Sequence, residues 1–302
     1  MIPYKEAYIM EVQRFAIHDG PGIRSTVFLQ GCPLRCPWCA NPESQTIGRH
    51  LMYQEQKCVQ CGACAAHCPQ QAIQLRGEQL IFDRQRCIQC GTCAEVCLNG
   101  AIHYIGMKTS VEDIVGILKR DEAYYRESGG GVTFSGGEPF VQFDALKALL
   151  GACHKLGYHT AIETTGNTSW EKMLDVLPLV DLFLFDMKHC DPDWITVVTG
   201  GDGWQIQDNF EKLARIAADK IITRVPVIPD YNFTEETLCR IFRFVADRGV
   251  KRVDLLPYHT LGTDKYMQLG REYLMGDIRM LPKKDLWSYI AIGKEYGLEV
   301  RV

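Results

Sequence analysis

The stretch GCPLRCPWCANPES, residues 31–44, sets Cys32, Cys36 and Cys39 within eight positions. Three thiolates this close suit a metal, yet iron–sulfur and zinc sites usually take four protein ligands. The reading of the whole chain turns on what fills the missing position.

Outward from that stretch, composition sets the bounds. The chain has 302 residues, 46% hydrophobic and 23% charged, enough for one large α/β domain with room for an insert. A formal net charge of −4 argues against broad affinity for nucleic acid or an anionic membrane. No apolar run approaches the roughly 20 residues of a spanning helix, and MIPYKEAYIMEVQRF at the N-terminus lacks a signal-peptide layout. A soluble cytoplasmic monomer is the expectation. Of the 14 cysteines, 11 fall between Cys32 and Cys97. Disulfides would need an oxidising compartment and usually a small secreted scaffold, so the clustering favours metal.

Eight of these cysteines form a repeat. CVQCGACAAHCPQQAIQL, residues 58–75, returns as CIQCGTCAEVCLNGAIHY, residues 87–104. Each half reads C-x2-C-x2-C-x3-C, which matches the bacterial two-cluster ferredoxin pattern, in which the fourth cysteine of each run serves the other cluster. The spacing thus pairs Cys58, Cys61 and Cys64 with Cys97, and Cys87, Cys90 and Cys93 with Cys68. Gly62 and Gly91 let the backbone curl tightly beside them. Pro69 follows its run as the pattern expects, whereas Leu98 stands where a second proline would. Two structural zinc knuckles are the alternative, although zinc usually needs only two close pairs.

The remainder alternates. Residues 25–31, 131–135, 159–164, 181–186, 221–227 and 252–257 are short apolar runs bounded by turn residues and read as buried parallel strands. Amphipathic segments lie between them, one opening with a capping-box pattern at Thr234 and ending at Gly249. Six β/α units predict an α/β fold, a partial (β/α)6 barrel whose first part is residues 1–49 and whose remainder is residues 106–302. Residues 50–105 form an inserted ferredoxin-like α+β domain. Polar motifs recur where such barrels keep their active sites, after the strands. They are GGEP (Gly136, Gly137, Glu138, Pro139), ETTG from Glu163, DMK (Asp186, Met187, Lys188), Arg224 within a strand, and PYH ending at His259.

The C-x3-C-x2-C spacing of Cys32, Cys36 and Cys39 resembles the signature of radical S-adenosylmethionine enzymes, in which three cysteines leave one iron of a 4Fe–4S cluster open to the cofactor's methionine moiety. The missing ligand would then be S-adenosylmethionine, split by one electron to methionine and a 5′-deoxyadenosyl radical. Within that superfamily, DGPGIRSTVFLQGC, with Gly20, Gly22, Arg24, Phe28, Gly31 and Cys32, resembles the glycyl radical enzyme activating enzymes over nearly the whole chain. The resemblance implies that GGEP contacts the methionyl amino group and that Trp38 contacts adenine. It implies that Lys188, Arg224 and His259 touch the cofactor, and that Glu163, Asp186 and Met187 form a monovalent-cation site, the first being more usually Asp.

It further implies three 4Fe–4S clusters, a flavodoxin or ferredoxin electron donor, and a partner glycyl radical enzyme that loses a hydrogen atom from a glycine Cα. The insert, absent from pyruvate formate-lyase activators, points to activators of dehydratase, decarboxylase or C–N and C–C lyase types. The competing functions are a radical enzyme acting on a small molecule and a plain iron–sulfur electron carrier. The N-terminal signature disfavours the first, and the three-cysteine site with GGEP disfavours the second. Cys153, Cys190 and Cys239 read as packing residues, and His18, His67, His103 and His154 as structural.

Overall fold

Alternation with period two gives the main sheet two faces of different character. The computed structural model describes residues 6–77 and 79–302. Residues 1–5, part of the stretch read for a targeting signal, lie outside the described residues. The strands are β1 (Glu6–Ala16), β2 (Arg24–Leu29), β3 (His50–Tyr53), β4 (Ile73–Arg76), β5 (Gln79–Phe82), β6 (Ile102–Ile105), β7 (Met107–Ser110), β8 (Gly131–Gly136), β9 (His159–Thr164), β10 (Leu182–Asp186), β11 (Ile221–Val227), β12 (Arg252–Pro257) and β13 (Glu299–Arg301). Nine of them form one sheet in the order β13-β12-β11-β10-β9-β8-β2-β1-β7. From β2 to β13 every pairing is parallel, with helices in the crossovers, so the expected α/β fold with a central parallel sheet is present.

Val27, Leu29, Val132, Phe134, Ile162, Phe183, Phe185, Val225 and Val253 point to one side, where they pack with helix residues such as Leu146, Leu149, Phe210, Leu238 and Phe242. Truncating any one of the larger of these to Ala is expected to cost about 2–5 kcal/mol. The other parity carries polar residues toward the C-terminal strand ends and a small apolar cluster of Ala161, Leu182, Leu184 and Ile222. Register sets Thr26 opposite Thr133, Leu184 opposite Glu163, Asp186 opposite Arg224, and Arg224 opposite Asp254. This face carries the site.

Two local expectations change. β1 and β7, which the apolar-run reading does not contain, add an antiparallel edge beside β2. β1 escapes that reading because its later residues are largely solvent-exposed. The helix Glu235–Asp247 opens with Thr234 Oγ1 accepting from Thr237 N at 3.1 Å. Its third helical residue is thus Thr rather than Glu or Gln, so the device is a simple N-cap and not a capping box.

Residues 50–105 stay out of the main sheet. β3 pairs with β6 and β4 with β5, each antiparallel, and two four-residue helices, Ala63–Ala66 and Thr92–Glu95, sit between the cysteines. Their own core is small: Leu51, Cys64, Ile73, Leu80, Cys93 and Ile102.

Candidate functional site

Beyond the C-terminal ends of the parallel strands lies a cleft of about 230 Å³ lined by Cys32, Cys36, Trp38, Cys39, Gly136, Gly137, Asp186, Lys188 and His259. A recess of about 170 Å³ shares Gly136, Gly137 and Asp186 with it and adds Ser135 and Glu163. Residues more than 220 positions apart thus face one space.

The cysteine loop is lashed to β8 through its backbone. Gly31 N donates to Ser44 O at 2.7 Å, Gly137 N to Leu29 O at 2.9 Å and Glu138 N to Gly31 O at 2.7 Å. A Cβ on Gly136 would stand 2.1 Å from Leu29 O, and one on Gly137 2.2 Å from Gly31 O. Both positions therefore require glycine. Trp38 is buried edge-on against Tyr231, with ring centroids 5.1 Å apart. Burial pushes the Cys32 and Cys36 thiols up to about 12, so metal ligation there must displace protons.

Along the face of the sheet that carries the site, Lys188 Nζ meets Asp186 Oδ2 at 2.8 Å. Burial works against the Lys188 charge, but Asp186 and the cysteines around it outweigh burial and hold its pKa above the ordinary lysine value. Arg224 is paired with Glu163, which Ser135 Oγ also meets, and Arg224 Nη2 donates to His18 O at 3.1 Å. Burial pushes the Glu163 carboxyl up, against the pull of Arg224. Among the described residues Arg224 Nε is buried with no partner.

Three residues expected to touch a ligand do not line the cleft. Glu138 is fully buried, with Oε1 accepting from Phe140 N (3.3 Å) and Thr164 Oγ1 (2.8 Å), and Oε2 from Thr165 N (2.7 Å) and Thr165 Oγ1 (2.6 Å). Its carboxylate ties the GGEP turn to the ETTG turn. The Met187 side chain is likewise buried in the core. Arg224 stands behind Glu163 rather than on the cleft wall. Thr165, Asn41 and Tyr258 also line the cleft. The sequence reading holds them within ETTG, the cysteine stretch and PYH but gives them no role of their own, and that membership is the available signal. Arg24 of the N-terminal signature is wholly buried, binding Thr133 Oγ1 at 2.7 Å and Val132 O at 2.7 Å.

In residues 50–105 the cysteines divide into two sets. A cavity of about 190 Å³ is lined by Cys58, Cys61, Cys64 and Cys97. A second, also about 190 Å³, is lined by Cys68, Cys87, Cys90 and Cys93. Among the described residues no three His, Cys, Asp or Glu side chains converge closely enough to share one metal ion. Two thiolates on one zinc lie within about 4 Å of each other, whereas cluster ligands each hold a different iron and stand further apart. Four thiols around each cavity are the donor set that a 4Fe–4S cluster takes.

Residues 18–190 match a family described as a 4Fe-4S single cluster domain. The chain is 42% identical over 268 residues to the trans-4-hydroxy-L-proline dehydratase activating enzyme of Clostridioides difficile, covering 88% of each chain. It is 40% identical over 273 residues to the isethionate sulfite-lyase activating enzyme of Oleidesulfovibrio alaskensis, again covering 88% of each. It is 38% identical over 281 residues to the 4-hydroxyphenylacetate decarboxylase activating enzyme of Clostridioides difficile, covering 90% of this chain and 88% of that one.

Proposed function

The chain belongs to the glycyl radical enzyme activating enzymes of the radical S-adenosylmethionine type, and from that premise we propose how its residues divide the work. The observation that carries the proposal is the single cleft into which the Cys32, Cys36 and Cys39 loop and the ends of β8, β10 and β12 all open. Cys32, Cys36 and Cys39 would hold a 4Fe–4S cluster beside bound S-adenosylmethionine, which together would supply the radical chemistry that takes a hydrogen atom from a glycine Cα of the partner enzyme.

The chain's own residues orient and shield that chemistry. Lys188, buried and charged, faces the cleft with His259, whose pKa burial lowers, so it presents a neutral imidazole at pH 7. Arg224, behind Glu163, holds that carboxylate in place at the strand ends. Trp38 supplies an aromatic surface. Glu138 positions the GGEP turn through its four donors. Glu163 and Asp186, the expected cation ligands, are already paired with Arg224 and Lys188.

The reading extends to the architecture. Residues 1–49 and 106–302 form a partial (β/α)6 barrel, supported by the six successive parallel strands β2 and β8–β12. Residues 50–105 form a ferredoxin-like insert with two further clusters, supported by the two four-cysteine cavities. That makes three 4Fe–4S clusters, fed by a low-potential flavodoxin or ferredoxin. Such clusters favour a reducing, oxygen-free cytoplasm. Among the described residues no helix is long and apolar enough to cross a membrane.

The three relatives above act on partners of different chemistry at nearly equal identity, so the partner is assigned here only as a glycyl radical enzyme of the dehydratase, lyase or decarboxylase kind. The test is anaerobic reconstitution with S-adenosylmethionine, reductant and such a partner. A glycyl radical doublet should appear in electron spin resonance and vanish when Cys36 is replaced by Ala. A doublet that survives Cys36→Ala would contradict the assignment.

A further inference from the structure

The two halves of the cysteine repeat are near copies, so their differences are informative. Aligned by their cysteines, the second run has Thr92 where the first has Ala63. Thr92 Oγ1 lies 3.4 Å from Cys90 Sγ, and toward a thiolate the hydroxyl is the donor. In the same set, Ala72 N donates to Cys68 Sγ at 3.3 Å and Tyr104 Oη lies 3.7 Å from Cys93 Sγ. Tyr104 stands where the first half has Leu75, but Tyr53, from outside the repeat, lies beside Cys58, so each set has one tyrosine next to a ligand sulfur. Only the second set has a threonine there. The first set receives Gln60 N on Cys58 Sγ at 3.4 Å, and its cavity is lined by Val59, Leu80, Val96 and Leu98 together with Lys57 and Asn99, with no hydroxyl at the Ala63 position.

The two sets also differ in place. Val59 and its equivalent Ile88 are similarly exposed, at 65% and 60%, so the contacts around each set, not these two residues, separate them. The second set's cavity includes Arg271, whose Nη1 donates to Pro42 O and Gln45 Oε1, both at 3.1 Å. Pro42 and Gln45 belong to the loop that carries Cys39. The second set is therefore the inner one.

We propose that Thr92 makes the two insert sites an ordered pair, raising the reduction potential at Cys68, Cys87, Cys90 and Cys93 so that an electron entering at Cys58, Cys61, Cys64 and Cys97 moves inward. This rests on the reading that both sites hold 4Fe–4S clusters. A hydrogen bond to a ligand sulfur stabilises the more negative, reduced state and so raises the potential. The transfer oxidises the outer site by one electron and reduces the inner site by one, with no bond broken and no proton required. The electron comes from a low-potential one-electron carrier.

The experiment is a potentiometric electron spin resonance titration of the reconstituted full chain with dithionite, the two insert signals being assigned with Cys61→Ala and Cys90→Ala. In Thr92→Val the inner potential alone should fall, by about tenfold in the reduction equilibrium, or 59 mV for one electron. Thr92→Ser should retain the wild-type value, and Ala63→Thr should raise the outer potential alone. The proposal is overturned if Thr92→Val leaves the inner potential in place, if both potentials move together, or if the outer site is the higher in the wild type. Iron content separates the two levels. Too little iron for two insert clusters defeats the underlying reading, whereas full iron with unmoved potentials defeats only this one.

Discussion

Glu138 and Thr165 are joined twice, Thr165 N and Thr165 Oγ1 both donating to Glu138 Oε2, at 2.7 and 2.6 Å. With Phe140 N on Oε1, each carboxylate oxygen faces a backbone N–H that cannot turn away. In Glu138→Gln the amide NH2 must therefore meet one of these donors, whichever way it is flipped. The expected loss is about 1–3 kcal/mol, the usual cost of an unsatisfied buried group. Urea melts of the reconstituted protein check it, and a variant as stable as wild type would refute the argument.

Glu163 reaches Arg224, and its longer side chain bears on ion dependence. With both strand-end carboxylates partnered by the chain's own cations, exchanging potassium for a bulky organic cation at constant ionic strength should leave cofactor cleavage unchanged. Glu163→Asp stops one methylene short of Arg224 and should acquire a dependence on potassium or sodium. Cleavage rates in the two buffers decide the matter. A wild-type enzyme that loses activity without a small monovalent ion would show that the ion displaces Arg224.

Cys68 tests the crossing of ligands within the insert. It follows the first cysteine run in sequence but lines the cavity of the second. Cys68→Ala should alter the signal that Cys90→Ala alters and spare the one that depends on Cys61. The reverse outcome in electron spin resonance would assign the fourth ligands to their own runs.

Iron removal should act unevenly. The insert has strands of four residues and a six-residue core, too little to hold without metal, whereas the main sheet buries large apolar residues between strands and helices. After chelation, limited proteolysis should cut first between residues 54 and 100 and spare residues 106–302. Cleavage starting in the parallel strands would mean the metal supports the whole fold.

Much of this was legible in the sequence, for identifiable reasons. The parallel strands stood out because both of their faces are covered, which leaves short apolar runs such as GVTFS. The cysteine sets were legible because the repeat preserves its spacing while the backbone does the folding. β1 was not, because its later, exposed residues interrupt any apolar run. Nor was the role of Glu138. A GGEP glutamate looks like a ligand contact until β9 brings Thr164 and Thr165 against it from 26 residues away. The Glu163–Arg224 pair spans 61 positions and exists only because β9 and β11 flank β10 in register.

The central claim is that this cleft removes hydrogen from a backbone carbon of another protein, and isotope transfer measures that directly. Selectivity must come from holding the target glycine against the cofactor before the cofactor is split. A partner glycyl radical enzyme carrying deuterium at glycine Cα is mixed anaerobically with the reconstituted enzyme, S-adenosylmethionine and reductant. The 5′-deoxyadenosine formed is then examined by mass spectrometry. Deuterium in that product, in step with an electron spin resonance doublet on the partner, is the expected result. Unlabelled 5′-deoxyadenosine formed at full rate, with the deuterium still on the partner, would contradict the account.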